Sequence, residues 1–108
     1  MRIWDITPEK LCRSHLLGEH RELHAIWVIL TQGKKGHAHH PETLRWMGKL
    51  LALYNRHDDL VEEMIKRGYH HTPLDRMQAS GESMQNVIVD SYEDQIKILR
   101  KKNCGCRV

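Results

Sequence analysis

The chain has no phenylalanine, three prolines and three cysteines in 108 residues, and aromatic residues make up only 6% of it. An odd number of thiols argues against a disulfide framework. Cys104-Gly105-Cys106 could hold a soft metal with a histidine. A Cys-x-Cys without a second pair is a weak zinc pattern, so free thiols are expected, with no metal and no cofactor. No apolar run approaches the roughly 18 residues that span a bilayer, so no membrane partner is expected. The opening has no basic stretch followed by an apolar segment and a small-residue cleavage site. The expected location is therefore the cytoplasm, on the nucleoid when DNA is the partner. Neither sign of charge dominates: the formal net charge is +3, and nine histidines add positive charge as the pH falls below about 6.5. That balance permits a polyanion partner without requiring one. A chain of this length makes one domain, residues 1–108, with a modest core, and a monomer is expected.

What is present is helical punctuation. Thr7, Pro8 and Glu9 read as N-cap, first helical residue and a charge suited to the positive helix end, for a first helix running to about Leu30. Gln32 to His40 carries two glycines and no apolar anchor, which makes it a basic, mobile loop. Pro41-Glu42 starts a long second helix, with Leu44, Met47, Leu50, Leu51, Tyr54, Val61, Met64 and Ile65 at spacings of three and four. It ends at Lys66-Arg67 before Gly68. Residues 69–89 read as a connecting loop with short turns. Asp90 and Glu93 resemble a capping box for a third helix, Ser91 to about Lys101, burying Ile96 and Leu99 and exposing Lys97, Arg100 and Lys101. No strand pattern is convincing. The expected fold is all-α, one compact domain of three main helices side by side with long connecting loops.

The first helix places acids where apolar residues belong. Advancing about 100° per residue from Leu11 puts Leu16, Leu23, Ile26, Trp27, Ile29 and Leu30 in one stripe. Glu19 falls near its centre, His15 and Glu22 just inside one edge, and Arg13, His20, Arg21 and His24 outside. A carboxylate facing a core needs a partner or a raised pKa. Pairing with arginines would explain one such acid; two in one helix suggest a site. Gly18 lies beside Glu22, and a glycine inside a helix costs roughly 1 kcal/mol against alanine, which suggests that something approaches closely there.

These residues carry a resemblance. His15-Leu16, Glu19-x-Arg21-Glu22-Leu23, the opening Arg2-Ile3 and the ending Lys66-Arg67-Gly68-Tyr69 resemble the pyrimidine-dimer DNA glycosylases of the endonuclease V type, typified by a bacteriophage repair enzyme. The likeness covers residues 1–30 and 41–71 and is faint from Leu74 onward. It implies a bifunctional enzyme, a DNA glycosylase and abasic-site lyase acting on damaged double-stranded DNA, with catalytic residues Met1 and Glu22. In that family the N-terminal α-amine attacks the deoxyribose C1′ beside a helical glutamate, and Met1 stands at the position of that amine. A bulky second residue such as Arg2 favours retention of the initiator methionine. Ala25 replaces a basic residue of the phage enzyme, and the aromatic C-terminal segment of the phage enzyme is replaced by Asn103 to Val108, which leaves the choice of lesion open.

The chemistry is consistent with that assignment. An amine attacks only when neutral, and an α-amine with pKa about 7.7–8.0 is far more neutral at pH 7 than a lysine at about 10.4. Arg2 and Arg21 would lower it further. DNA contact requires cations for phosphate and room for an extruded nucleotide. Arg2, His15, Gly18 and Arg21 are the expected contacts around the nucleophile, and Lys34, Lys35, His37, His39 and His40 those of the basic loop.

Two other classes compete. Nine histidines, His57-Asp58-Asp59 and Cys104-Gly105-Cys106 would suit a metal-dependent hydrolase or metal-binding module, although no further ordered His and Asp ligands complete a phosphohydrolase pattern. A non-catalytic helical DNA-binding protein would explain the charge and leave the buried acids without a role.

Overall fold

The structure is a computed structural model that describes residues 2–33, 35, 36 and 38–108. It is all-helical: α1 spans Arg13–Gln32, α2 Pro41–Leu44, α3 Leu50–Lys66 and α4 Tyr92–Lys102, and the described residues contain no strand. No helix is long and apolar enough to cross a membrane, among the described residues. The core joins Ile3, Trp4 and Ile6 of the N-terminal segment to Leu16, Leu23, Ile26 and Trp27 of α1. Leu53, Leu60 and Met64 of α3 and Leu99 of α4 complete it.

The first helix begins later than its punctuation predicts. Thr7-Pro8 opens only a 3-10 turn, Pro8–Lys10, and Thr7 makes no side-chain cap. Leu11 and Cys12 then run extended before α1 starts at Arg13. The cause is tertiary. Arg67, past the end of α3, donates to the carbonyls of Pro8, Glu9 and Leu11, the last at 2.7 Å, so carbonyls that could propagate a helix are already occupied. The C-terminus of α1 follows local rules: Gly33 takes φ 66° and its N–H bonds the Ile29 carbonyl.

The expected second helix is two helices. After α2 the chain turns, Gly48 adopts φ 73°, and α3 starts at Leu50. Its first N–H groups are satisfied by a distant loop: Leu51 N–H bonds Ser80 O (2.7 Å) and Ala52 N–H bonds Glu82 O (3.0 Å). Glu82 N–H in turn bonds Gly48 O, and Gly81 packs so close that a Cβ would lie 2.2 Å from that oxygen. The break thus fixes the 80–82 loop against the start of α3. The long apolar periodicity is satisfied from both pieces, which is why spacing alone reads through it. At the far end, Gly68 at φ 80° stops α3 as expected.

Helix α4 starts one residue later than the expected box. Ser91 Oγ accepts from Asp94 N–H at 3.1 Å. Leu99 is buried, Ile96 half-buried, and Lys97, Arg100 and Lys101 are exposed, as the spacing predicts.

Candidate active site

Residues 2–6 of the N-terminal segment are neither helix nor strand and are held on both sides. Glu19 Oε1 accepts from Trp4 N–H at 3.1 Å, and Arg56 of α3 grips the same carboxylate at 2.7 and 3.0 Å while donating to Ile6 O at 2.9 Å. Glu42 of α2 accepts from Ile3 N–H at 3.1 Å and from Arg45 Nε at 2.8 Å. Arg45 also donates to Ile3 O and Asp5 Oδ1. From α4, the buried Gln95 accepts from Asp5 N–H at 2.8 Å and donates to Asp5 Oδ2 at 2.9 Å. Every one of residues 3–6 therefore has a main-chain group bonded to a side chain from another element. A segment buried without helix or sheet partners must satisfy its backbone this way or lose stability.

These bonds assign Glu19. It is 2% exposed and sits where the stripe places it, but its partners are a main-chain N–H and an arginine, so it is a clamp. Burial pushes its carboxyl above the ordinary range, and the Arg56 guanidinium and the Trp4 N–H act against that push. The clamping roles of Glu42, Arg45 and Gln95 were missed by sequence reasoning. Glu42 reads locally as an acid at a helix start and Gln95 as a polar helix residue.

The segment delivers Arg2 to a cleft of about 400 Å³ whose lining also includes Trp4, His15, Gly18, Glu22 and Lys102. Arg2 is held by Asp90 at 2.6 Å, with its guanidinium 4.9 Å from the Trp4 ring centroid. Glu22 is half-buried one turn beyond Gly18 and makes no side-chain hydrogen bond with any described residue. Among the described residues, nothing beyond Gly18's own stretch of helix stands within 4 Å of where its Cβ would be, so the glycine leaves open space in the cleft. His15 meets Trp4 edge-on at 5.6 Å. Burial, with Lys102 adding to it, lowers the His15 pKa.

The structure thus gathers Arg2, His15, Gly18 and Glu22 into one place. Arg21 is exposed on the next cavity along α1, which His20, His24 and Met64 line. Lys35 and His39 are exposed, and His40 Nδ1 accepts from Glu42 N–H at 3.1 Å as the cap of α2. Met1, Lys34 and His37 lie outside the described residues.

Among the described residues, two groups have donor atoms close enough for a metal: Cys12, His15, Cys104 and Cys106, and the histidines 20, 24 and 57. The helical wheel leaves His20 outside the apolar stripe, yet it is buried, because α3 sets His57 against it with the two Nε2 atoms 3.2 Å apart. Thr72 O, which only accepts, lies 3.1 Å from His57 Nε2 and so places the proton there. His57 Nδ1 is buried without a hydrogen bond, with Asp58 Oδ1 3.8 Å away. Burial, followed by the neighbouring His24 and His57, lowers the His20 pKa to about 4. Among the described residues no carboxylate lies with the three donor nitrogens: the exposed Asp58 meets His57 at Nδ1, on the other side of the ring, which does not suit a phosphohydrolase centre.

No curated protein and no solved structure matches the chain. A family model described as pyrimidine dimer DNA glycosylase matches residues 1–77. That span contains the clamped N-terminal segment, α1, α2 and α3, and it stops before α4 and the cysteine tail. Residues 2–6, Glu19, Glu22, Glu42, Arg45 and Arg56 fall within it, while Asp90, Gln95 and Lys102, which also hold the segment or line the cleft, lie beyond it; the chain belongs to the pyrimidine dimer DNA glycosylase family.

Proposed function

We propose that the protein excises pyrimidine dimers from double-stranded DNA and then cleaves the strand, using the Met1 α-amine as nucleophile and Glu22 as the catalytic carboxylate. The observation that carries this reading is the course of residues 2–6. They are bonded on both sides and end with Arg2 in the cleft that Glu22 lines, one peptide from the amine. Such clamping fixes the direction from which a terminal amine approaches a substrate, so little orientational entropy is lost in the reaction.

The neutral amine attacks C1′ of the damaged nucleotide, the C1′–base bond breaks, and the base leaves with its bonding electron pair and takes up a proton. Positive character on the sugar develops in this step, and the Glu22 carboxylate stabilises it while relaying protons. The bound nitrogen gives up a proton, and its lone pair then forms the C1′=N bond as the C1′–O4′ bond breaks and O4′ takes up a proton, giving a ring-opened imine that acidifies the C2′ hydrogens. Removal of one expels the 3′ phosphate and cuts the strand. Arg2, His15 and Arg21 contact phosphates flanking the lesion, and the open face at Gly18 admits the sugar–phosphate chain. Lys34, Lys35, His37, His39 and His40 extend the contact along the duplex. The enzyme acts as a monomer, inside the cell, with no cofactor in the reaction.

The test is covalent trapping. Incubation with a labelled duplex bearing a cyclobutane dimer or an abasic site, with borohydride present, is expected to give a protein–DNA adduct on both. An adduct on the abasic duplex alone confines the activity to the lyase step. Strand cleavage without any adduct removes the imine.

A further inference from the structure

The tail outside the family match returns to the catalytic helix. Asn103 ends α4 in the left-handed conformation, Gly105 follows at φ 96°, and Arg107 N–H then bonds Lys10 O at 2.7 Å. This path lays Cys104 and Cys106 over the first turn of α1, where Cys12 is the N-cap residue and His15, three positions on, shares its face. Four donors from two ends of the chain meet there. Cys12 Sγ lies 3.1 Å from His15 Nδ1, Cys104 Sγ 3.5 Å from Cys106 Sγ, and Cys106 Sγ 3.5 Å from His15 Nδ1. All four atoms are within 4.8 Å of one another.

We propose that Cys12, His15, Cys104 and Cys106 form a tetrahedral zinc site that fastens the C-terminal tail to the start of the catalytic helix. Zinc bonds of about 2.3 Å to sulfur and 2.0–2.1 Å to nitrogen require tetrahedral ligand atoms roughly 3.5–3.8 Å apart, and the observed separations lie around that spacing. Three thiolates with one imidazole select a soft to borderline ion over magnesium or calcium. The Cys12 N–H already points at Cys106 Sγ at 3.0 Å, the outer contact that a metal-bound thiolate accepts. Binding displaces one proton from each of the three thiols to solvent, with no change of oxidation state.

The site has a consequence for the cleft. Nδ1 is the His15 nitrogen that faces the sulfurs, so a metal there fixes the remaining ring proton on Nε2 and makes His15 a permanent donor in the cleft. The consequence for DNA rests on the proposed function, and the metal site itself does not.

The untagged chain, produced with zinc supplied and purified under reducing conditions, is expected to carry one zinc per chain by elemental analysis. After chelation, cobalt(II) should give the intense visible bands of a tetrahedral ion together with a near-ultraviolet sulfur-to-cobalt transition. The double variant C104S/C106S should lose the bound equivalent and the sulfur transition. Cobalt binding to the unmodified chain remains decisive if that variant fails to fold. Absence of both zinc and the cobalt bands overturns the proposal, as does a cysteine–cysteine disulfide that survives reductant. Full zinc retention by a folded double variant moves the metal to His20, His24 and His57 and overturns it too. None of these readouts involves DNA, so the proposed excision activity stands or falls separately.

Discussion

The main-chain N–H of Trp4 bonds Glu19 Oε1 at 3.1 Å, three residues before Glu22 on the same helix. One helix thus carries the carboxylate that holds the N-terminal segment and the one proposed to act in excision, and substitution should separate them. Glu19→Ala leaves Arg56, whose side chain is 14% exposed, without its anion and strands the Trp4 N–H. Breaking a buried pair from one side costs about 3–5 kcal/mol, and urea unfolding should read that loss. Glu22→Gln keeps shape and should leave the unfolding midpoint nearly unchanged while excision falls by about 10²–10⁴-fold, the usual worth of a general acid–base group. Equal destabilisation by both variants would make Glu22 structural.

Arg21 lies outside the cleft, exposed beside Glu22. As a phosphate contact its removal should weaken binding to damaged and undamaged duplex alike and lower the salt dependence of log K by about one. Binding isotherms of Arg21→Ala at several salt concentrations check this. An unchanged slope takes Arg21 off the DNA.

The all-α fold, the position of Glu19, the end of α3 and the helix at 91–101 were legible because each rests on local periodicity or capping. Gly18 and Glu22 were legible as anomalies within that periodicity. The late start of α1 was not, because it depends on Arg67, which lies more than fifty positions along the chain from the carbonyls of Pro8, Glu9 and Leu11. The break at Gly48 likewise depends on a loop at residues 80–82. Cys12-x-x-His15 reads as two unrelated residues until the tail folds over them, although a Cys-x-x-His spacing at a helix start beside an unmatched Cys-x-Cys was the available signal. His20 shows the reverse error, since a wheel drawn from one helix ignores the histidine that another supplies.

That histidine cluster makes stability depend on pH. Burial holds the His20 pKa near 4, and the His24 and His57 values are lowered by the same cause, against an ordinary value of 6.5. The unfolded chain thus binds protons below pH 6.5 that the folded chain refuses. The contribution is fully present above pH 6.5 and is lost as the pH falls towards 4. Thermal melts should therefore drop steadily between pH 7 and pH 5, and His20→Leu, which removes one such group, should flatten the decline. A melting temperature level across that interval would mean that the three rings accept charge in the folded state.

The clamped segment makes the sharpest demand on the first residue. Acetylating the α-amine, or extending the chain with an uncleaved N-terminal tag, removes the attacking lone pair into an amide while leaving Ile3, Trp4 and Asp5 free to keep their bonds to Glu42, Glu19 and Gln95. Circular dichroism and the melting temperature should stay close to those of the unblocked chain. Borohydride trapping and strand cleavage on an abasic duplex should fall to background. A lysine could replace the amine only with a neutral fraction well under about 1% at neutral pH, given an unperturbed pKa near 10.4. Lys10 and Lys35 are both solvent-exposed. An adduct forming at the normal rate in the blocked protein would therefore assign the nucleophile to a side chain and leave the threading of residues 2–6 as architecture alone.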